Sequence, residues 1–116
     1  MSTDASTGVI GRGELVSGGA FSGRVVVADE ISEVLALLGE DLTDAVLLTS
    51  QPAATSVGPL LSRVCGVICT GGGPATHLAI VSRGLALACV MQADVGDLVG
   101  PGDRVAVDAD GVVRRA

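Results

Sequence analysis

The chain has 116 residues, 48% of them apolar, which suffices for one compact core and is too little for two. Thirteen acidic residues against seven basic ones leave a formal charge of −6, the opposite of the basic footprint a nucleic-acid backbone requires, so no nucleic acid is expected as a partner. All seven basic residues are arginine and Phe21 is the single aromatic residue, which excludes a Walker A loop, a Schiff-base lysine and any base-stacking platform.

In chain order, residues 1–11 read as a flexible leader and residues 12–116 as a single α/β domain. Met1 to Thr7 lacks the positive start and apolar run of a secretory signal, and no stretch approaches the roughly 20 apolar residues of a membrane helix. A cytoplasmic location with no membrane partner is the expectation, and the odd count of three cysteines then argues against a disulfide framework. Gly13 to Ser17 and Gly23 to Ala28 read as two strands separated by the turn-forming Ser17-Gly18-Gly19. Ile31, Val34, Leu35 and Leu38 recur at helical spacing, with Asp29, Glu30 and Glu33 in the opening turn, where the helix dipole favours acids. Asp44 to Thr49 is a buried-looking strand ended by Pro52. Val57, Leu60, Leu61 and Val64 predict a helix that Gly58-Pro59 makes short or late-starting.

Gly66-Val67-Ile68-Cys69 is a compact strand running into Thr70-Gly71-Gly72-Gly73-Pro74, which fits neither helix nor regular strand and must be a tight loop. Thr76 is a good N-cap for a helix carrying His77, Leu78, Ile80, Val81 and Leu85. Leu87 to Val90 is another buried strand, and Arg104 to Asp108 leads into a last hairpin turned at Asp110-Gly111.

A strand that feeds a glycine loop opening a helix points several unpaired backbone N–H groups at one spot, which suits a phosphate. Gly72 and Gly73 let the backbone approach an anion, and His77, the single histidine, stands in the helix's first turn. A neutral imidazole is a competent phosphoryl acceptor, and phosphoryl transfer asks mainly for positioning and charge stabilisation. Position alone leaves open a surface histidine at a helix start. Cys65, Cys69 and His77 could be taken for metal ligands. However, the α-carbons of residues 65 and 69 would lie about 13 Å apart in a strand, too far to share a zinc or to bridge, so no metal site is expected. Asp108 and Asp110 are explained by turn chemistry.

The segment Gly72-Gly73-Pro74-Ala75-Thr76-His77-Leu78-Ala79-Ile80-Val81-Ser82-Arg83 resembles the active-site segment of the phosphohistidine, or swivelling, domain of phosphoenolpyruvate-utilising enzymes. Ser17 to Val25 is similar to that family's entry hairpin, Pro59-Leu60-Leu61 through Gly66-Val67-Ile68 to its helix and pre-loop strand, and the Gly102 to Val105 turn with the Asp108 to Val113 hairpin to its closing strands. The resemblance implies a swivelling β/β/α sandwich in which His77 carries the phosphoryl group. Gly72, Gly73 and Thr76 would stabilise the phosphate. Arg83 aligns with a family arginine, yet six residues at roughly 100° each set it about 120° round the helix from His77. Neutralising the helix C-terminus is therefore an equal reading of it.

The implied partners are an ATP-grasp nucleotide-binding protein or domain as donor and a PEP/pyruvate-binding or other acceptor protein or domain. ATP and magnesium would be held by the partner, with no cofactor on this chain. Departures from the family pattern are Ala75 in place of a usual threonine, Thr70 where an acid is frequent, and Gly84 where glutamate often follows the arginine, so the helix is expected to stop early. The resulting expectation is a stand-alone phosphohistidine carrier. The alternatives are a non-phosphorylated module that binds and regulates a partner enzyme, and the histidine subunit of a split phosphotransferase acting on a small metabolite or antibiotic.

Overall fold

The computed structural model describes residues 8–50, 57–71, 76–95 and 99–116. Among the described residues there are eight strands: β1 (Val9–Arg12), β2 (Glu14–Ser17), β3 (Phe21–Val27), β4 (Ala45–Thr49), β5 (Gly66–Cys69), β6 (Ala88–Met91), β7 (Arg104–Val107) and β8 (Val112–Arg115). Three helices are interleaved with them: α1 (Ile31–Leu37), α2 (Gly58–Leu61) and α3 (His77–Gly84). The strands form one sheet in the order β1-β8-β7-β3-β4-β5-β6-β2. Its centre, β3 to β6, is parallel, and each parallel step passes through one of the three helices. The flanking strands β7, β8, β1 and β2 are antiparallel to their neighbours.

Alternation along the central strands sorts their side chains into two cores. Val25, Val46, Ile68 and Val90 point to one face, where they meet Val105, Val107 and Val113 of the antiparallel strands. Val26, Leu47, Val67, Cys69, Cys89 and Met91 point to the other and meet Val34 of α1, Leu60 and Leu61 of α2, and Leu78 and Ala79 of α3. A β layer, a second β layer and a helical layer follow from that alternation, as the mixed α/β fold of a β/β/α sandwich requires.

The sheet's two edges are consecutive in sequence. β1 and β2 are separated only by Gly13, yet β1 pairs with β8 at one end of the order and β2 with β6 at the other. The sheet is therefore folded over until its edges meet at that residue. The Gly13 amide donates to the Gly111 carbonyl at 2.9 Å, and a side chain at Gly13 would collide with Val90 and the Met91 carbonyl, so only glycine fits the corner.

Two expectations need correction. Residues 9–11, assigned to a flexible leader, are strand: Ile10 is buried in the inter-sheet core and the Arg115 amide donates to the Gly8 carbonyl at 2.7 Å. Residues 1–7 lie outside the described residues. The strands on either side of Ser17-Gly18-Gly19 do not form a hairpin, since β2 pairs with β6 and β3 with β7 and β4. The helical apolar faces are only partly buried: Val34 and Leu78 are core, whereas Ile31, Leu35, Ile80 and Leu85 are 51–62% exposed. The late start of α2 at Gly58 is as the Gly-Pro pair predicts, while Pro52 lies outside the described residues. The C-terminal hairpin is also as read: the Asp108 carboxylate accepts from the amides of Asp110 (2.9 Å) and Val112 (3.2 Å) and fixes the turn.

Candidate functional site

Four parallel strands end at one pole of the molecule, the place where open α/β sheets present their ligand crevices. Their exits are tied together by backbone bonds. The Thr70 amide donates to the Thr49 carbonyl (3.0 Å), the Gln92 amide to the Gly71 carbonyl (3.1 Å) and the Ala93 amide to the Cys69 carbonyl (2.9 Å). The chain leaving β5 is thus held between the ends of β4 and β6 before it enters α3.

Asp29, just past β3, makes the side-chain link. Its Oδ1 accepts from the Thr49 hydroxyl at 2.9 Å and from the Ser50 amide at 2.7 Å. Burial pulls this carboxyl's pKa upward, but the Ser50 and Thr49 hydrogen bonds together outweigh it and hold the group below the usual aspartate range. Next along, the Glu33 carboxylate reaches back to the amides of Asp29 and Glu30 at 3.0 Å each, closing the first turn of α1. A cleft of about 400 Å³ opens here, lined by Val27, Asp29, Leu48, Thr49, Ser50 and Thr70, and walled by Val99 to Pro101. From Thr70 on its wall the chain continues through Gly71 and residues 72–75 to His77.

His77 is the first residue of α3 and is exposed. Its place follows from its neighbours: Leu78 and Ala79 are fully buried in the helical-layer core, and Ser82 is buried on the same side, so His77 is turned outward. Thr76 takes the N-cap position with extended backbone (φ −75°, ψ 161°), and its carbonyl accepts from the Ile80 amide at 3.0 Å. The side-chain capping bond expected of Thr76 is not made. Gly72 and Gly73 lie outside the described residues, as do Pro74 and Ala75.

Arg83 is not brought to His77. It stands in the last turn of α3, where its Nε donates to the Val16 carbonyl of β2 at 3.1 Å, fastening the helix to the sheet edge. The helix ends at Gly84 with Leu85 as its C-cap, one residue short of the Leu85 read as helical. Cys69 and Cys89 are buried core residues, Cys65 is half-buried, and all three are free thiols. Among the described residues no group of histidine, cysteine and carboxylate side chains could hold a metal ion. No described helix is long and apolar enough to cross a membrane.

Asp29 is the site-pole residue that sequence reading misplaced. As an acid before a helix it looked like a dipole partner, and its link to Ser50, twenty-one positions on, has no local signature.

The geometry is that of an exposed histidine at the start of a helix, above the ends of a parallel sheet. Over 83 residues the chain is 34% identical to a probable phosphoenolpyruvate synthase of Methanothermobacter thermautotrophicus, a match covering 72% of this chain and 11% of that protein. The chain therefore spans only about a tenth of that relative's length.

Among solved structures, Thermococcus kodakaraensis aconitase X (holo-form) superposes with a TM-score of 0.59 at 16% identity, over 91% of this chain and 97% of that one. A UPF0107 protein solved by NMR superposes with a TM-score of 0.61 at 16% identity, over 90% and 97% respectively. At such identities these likenesses establish the fold alone. The sequence profile of the "PEP-utilising enzyme, mobile domain" family matches residues 42–111, which include α3 and most of the parallel sheet. The chain belongs to that family, whose members are phosphohistidine carriers that relay phosphoryl groups between partner domains.

Proposed function

We propose that His77 is the residue of this chain that carries the phosphoryl group, received from an ATP-grasp nucleotide-binding partner and passed to a PEP/pyruvate-binding partner. The observation that carries the reading is that the chain's one histidine is exposed on the first residue of α3, within the segment matched to the family. The lone pair of a ring nitrogen forms the N–P bond while the donor's P–O bond breaks and its electron pair leaves with the donor oxygen. The other ring nitrogen releases its proton as the ring returns to neutrality. Delivery reverses these steps onto the acceptor's oxygen. Backbone amides of the helix's first turn, with those of Gly72 and Gly73, are assigned to stabilising the phosphate, and Thr76 to supplying a neighbouring hydroxyl.

ATP and magnesium belong to the partner. The relative named as a probable phosphoenolpyruvate synthase supports pyruvate and phosphoenolpyruvate as the acceptor pair. Arg83, fastened to Val16, is assigned to holding the helix rather than the phosphate.

The test is intact mass of the purified chain after incubation with lysate of its source plus ATP or phosphoenolpyruvate, beside His77→Ala. The expected result is one acid-labile phosphate on the wild type and none on the variant. A wild type that stays unmodified with both donors, while the lysate phosphorylates a control carrier, replaces this reading with that of a non-phosphorylated regulatory module.

A further inference from the structure

Phosphoryl carriage on His77 makes no use of the cleft at the strand exits. Val27 and Leu48, register partners in β3 and β4, line it together with Val99 and Pro101. Two residues on from each of those partners stand Asp29 and Ser50, and Thr49 and Thr70 join them, so an apolar bowl carries one carboxylate and three hydroxyls. Its volume of about 400 Å³ falls within the range of small-molecule sites, roughly 300–1,000 Å³.

The charge in this cleft is one-sided. No arginine lines it, and among the described residues Asp29 has no ion-pair partner, whereas Asp44 and Asp108 are each paired. Asp29 stays ionised at neutral pH, since its carboxyl is held below the usual range. A carboxylate drawn partly out of water ordinarily sits beside a cation. Here a hydroxyl and an amide fix Oδ1 and leave the negative charge unbalanced. A phosphate or carboxylate ligand would meet that charge with nothing to offset the repulsion, so phosphoenolpyruvate and pyruvate do not suit this cleft.

We propose that the cleft is a binding site for a small organic cation, a primary ammonium on a compact apolar body. The ammonium seats on Asp29 and the neighbouring hydroxyls, and the body lies against Val27, Leu48, Val99 and Pro101. An ammonium's three N–H donors match a carboxylate and two hydroxyl oxygens, and the chain's net charge of −6 draws a cation toward it. The site is separate from phosphoryl carriage and does not depend on His77 being phosphorylated.

The test titrates the isotope-labelled full chain near neutral pH and follows its amide resonances by NMR. The probes are cyclohexylamine and its neutral and anionic counterparts, cyclohexanol and cyclohexanecarboxylate. Cyclohexylamine is expected to shift the amides of Ser50, Thr70 and Gly100 saturably with a Kd of about 1 mM, cyclohexanol to bind about ten-fold more weakly, and cyclohexanecarboxylate not to saturate. Asp29→Asn keeps Oδ1 as acceptor for Thr49 and Ser50, and is expected to weaken the amine by about ten-fold while its other resonances overlay the wild type's. Equal affinity for the three probes, or an Asp29→Asn chain that binds the amine as tightly as wild type, overturns the cation reading. An amine that gives no saturable shift by about 20 mM, or shifts confined to residues away from the cleft, overturns the site itself. The comparison of the three probes needs only the wild type, so a failure of Asp29→Asn to fold leaves the decision intact.

Discussion

Replacing Asp29 by alanine removes a carboxylate that ties the exits of β3 and β4 together at the pole from which α3 is launched. The side chain accepts two hydrogen bonds, from the Ser50 amide at 2.7 Å and the Thr49 hydroxyl at 2.9 Å. A hydrogen bond to an ionised group contributes about 1.5–3 kcal/mol, and partial exposure to water reduces each by roughly half, so the loss is about 2 kcal/mol. For a domain of this size that corresponds to a fall in melting temperature of roughly 8 °C.

The sign of the pH dependence follows from the lowered pKa of Asp29. A carboxyl held below its unfolded value contributes stability that is complete above about pH 5, and that contribution is lost as the pH falls through the folded value. The gap between wild type and Asp29→Ala, measured by urea denaturation at a series of pH values, is therefore widest near neutrality and narrows on acidification below about pH 4. A gap that stays constant from pH 7 to pH 3, or that is absent at pH 7, refutes the charged staple.

Ala86→Gly should raise the melting temperature, by about 1 kcal/mol of stability, because Ala86 holds φ 55°; a fall on calorimetry would contradict the strain assigned there. Leu78→Ala, at a fully buried position that seats α3 against the sheet, should cost about 3 kcal/mol in chemical denaturation, and a cost under about 1 kcal/mol would mean the helix is not anchored there. His77→Ala should lose phosphate uptake while its denaturation curve overlays the wild type's, since the side chain is exposed. Native thiol labelling near pH 7.5, followed by mass, should modify Cys65 first. Cys69 and Cys89 should wait for unfolding, both being buried, with the Cys89 thiol pushed up to about 11 chiefly by burial.

What could be read from the sequence was what local pattern controls. β4 and β5 are short apolar runs between turn residues, and burial on both faces of a parallel sheet leaves no other element for them. α3 was legible from its spacing, and His77 from a motif whose residues are contiguous. β1 was not, because Val9-Ile10-Gly11-Arg12 buries one residue and is strand only through pairing with β8, a hundred positions away. The exposure of Ile80 was illegible for a related reason. An eight-residue helix satisfies the core with Leu78, Ala79 and Ser82, so periodicity could not tell which apolar residues the sheet reaches.

The corner at Gly13 has a mechanical consequence. β1 leads from Gly8 straight to that corner, and Gly8 is tied to Arg115 of β8, whose amide donates to its carbonyl at 2.7 Å. Any polypeptide joined to either end is attached at one place, like both cords of a pendulum tied to a single nail. A load that separates the two ends opens the β1–β8 pairs one after another from Gly8 and Arg115, because antiparallel strands held at the same end unzip rather than shear.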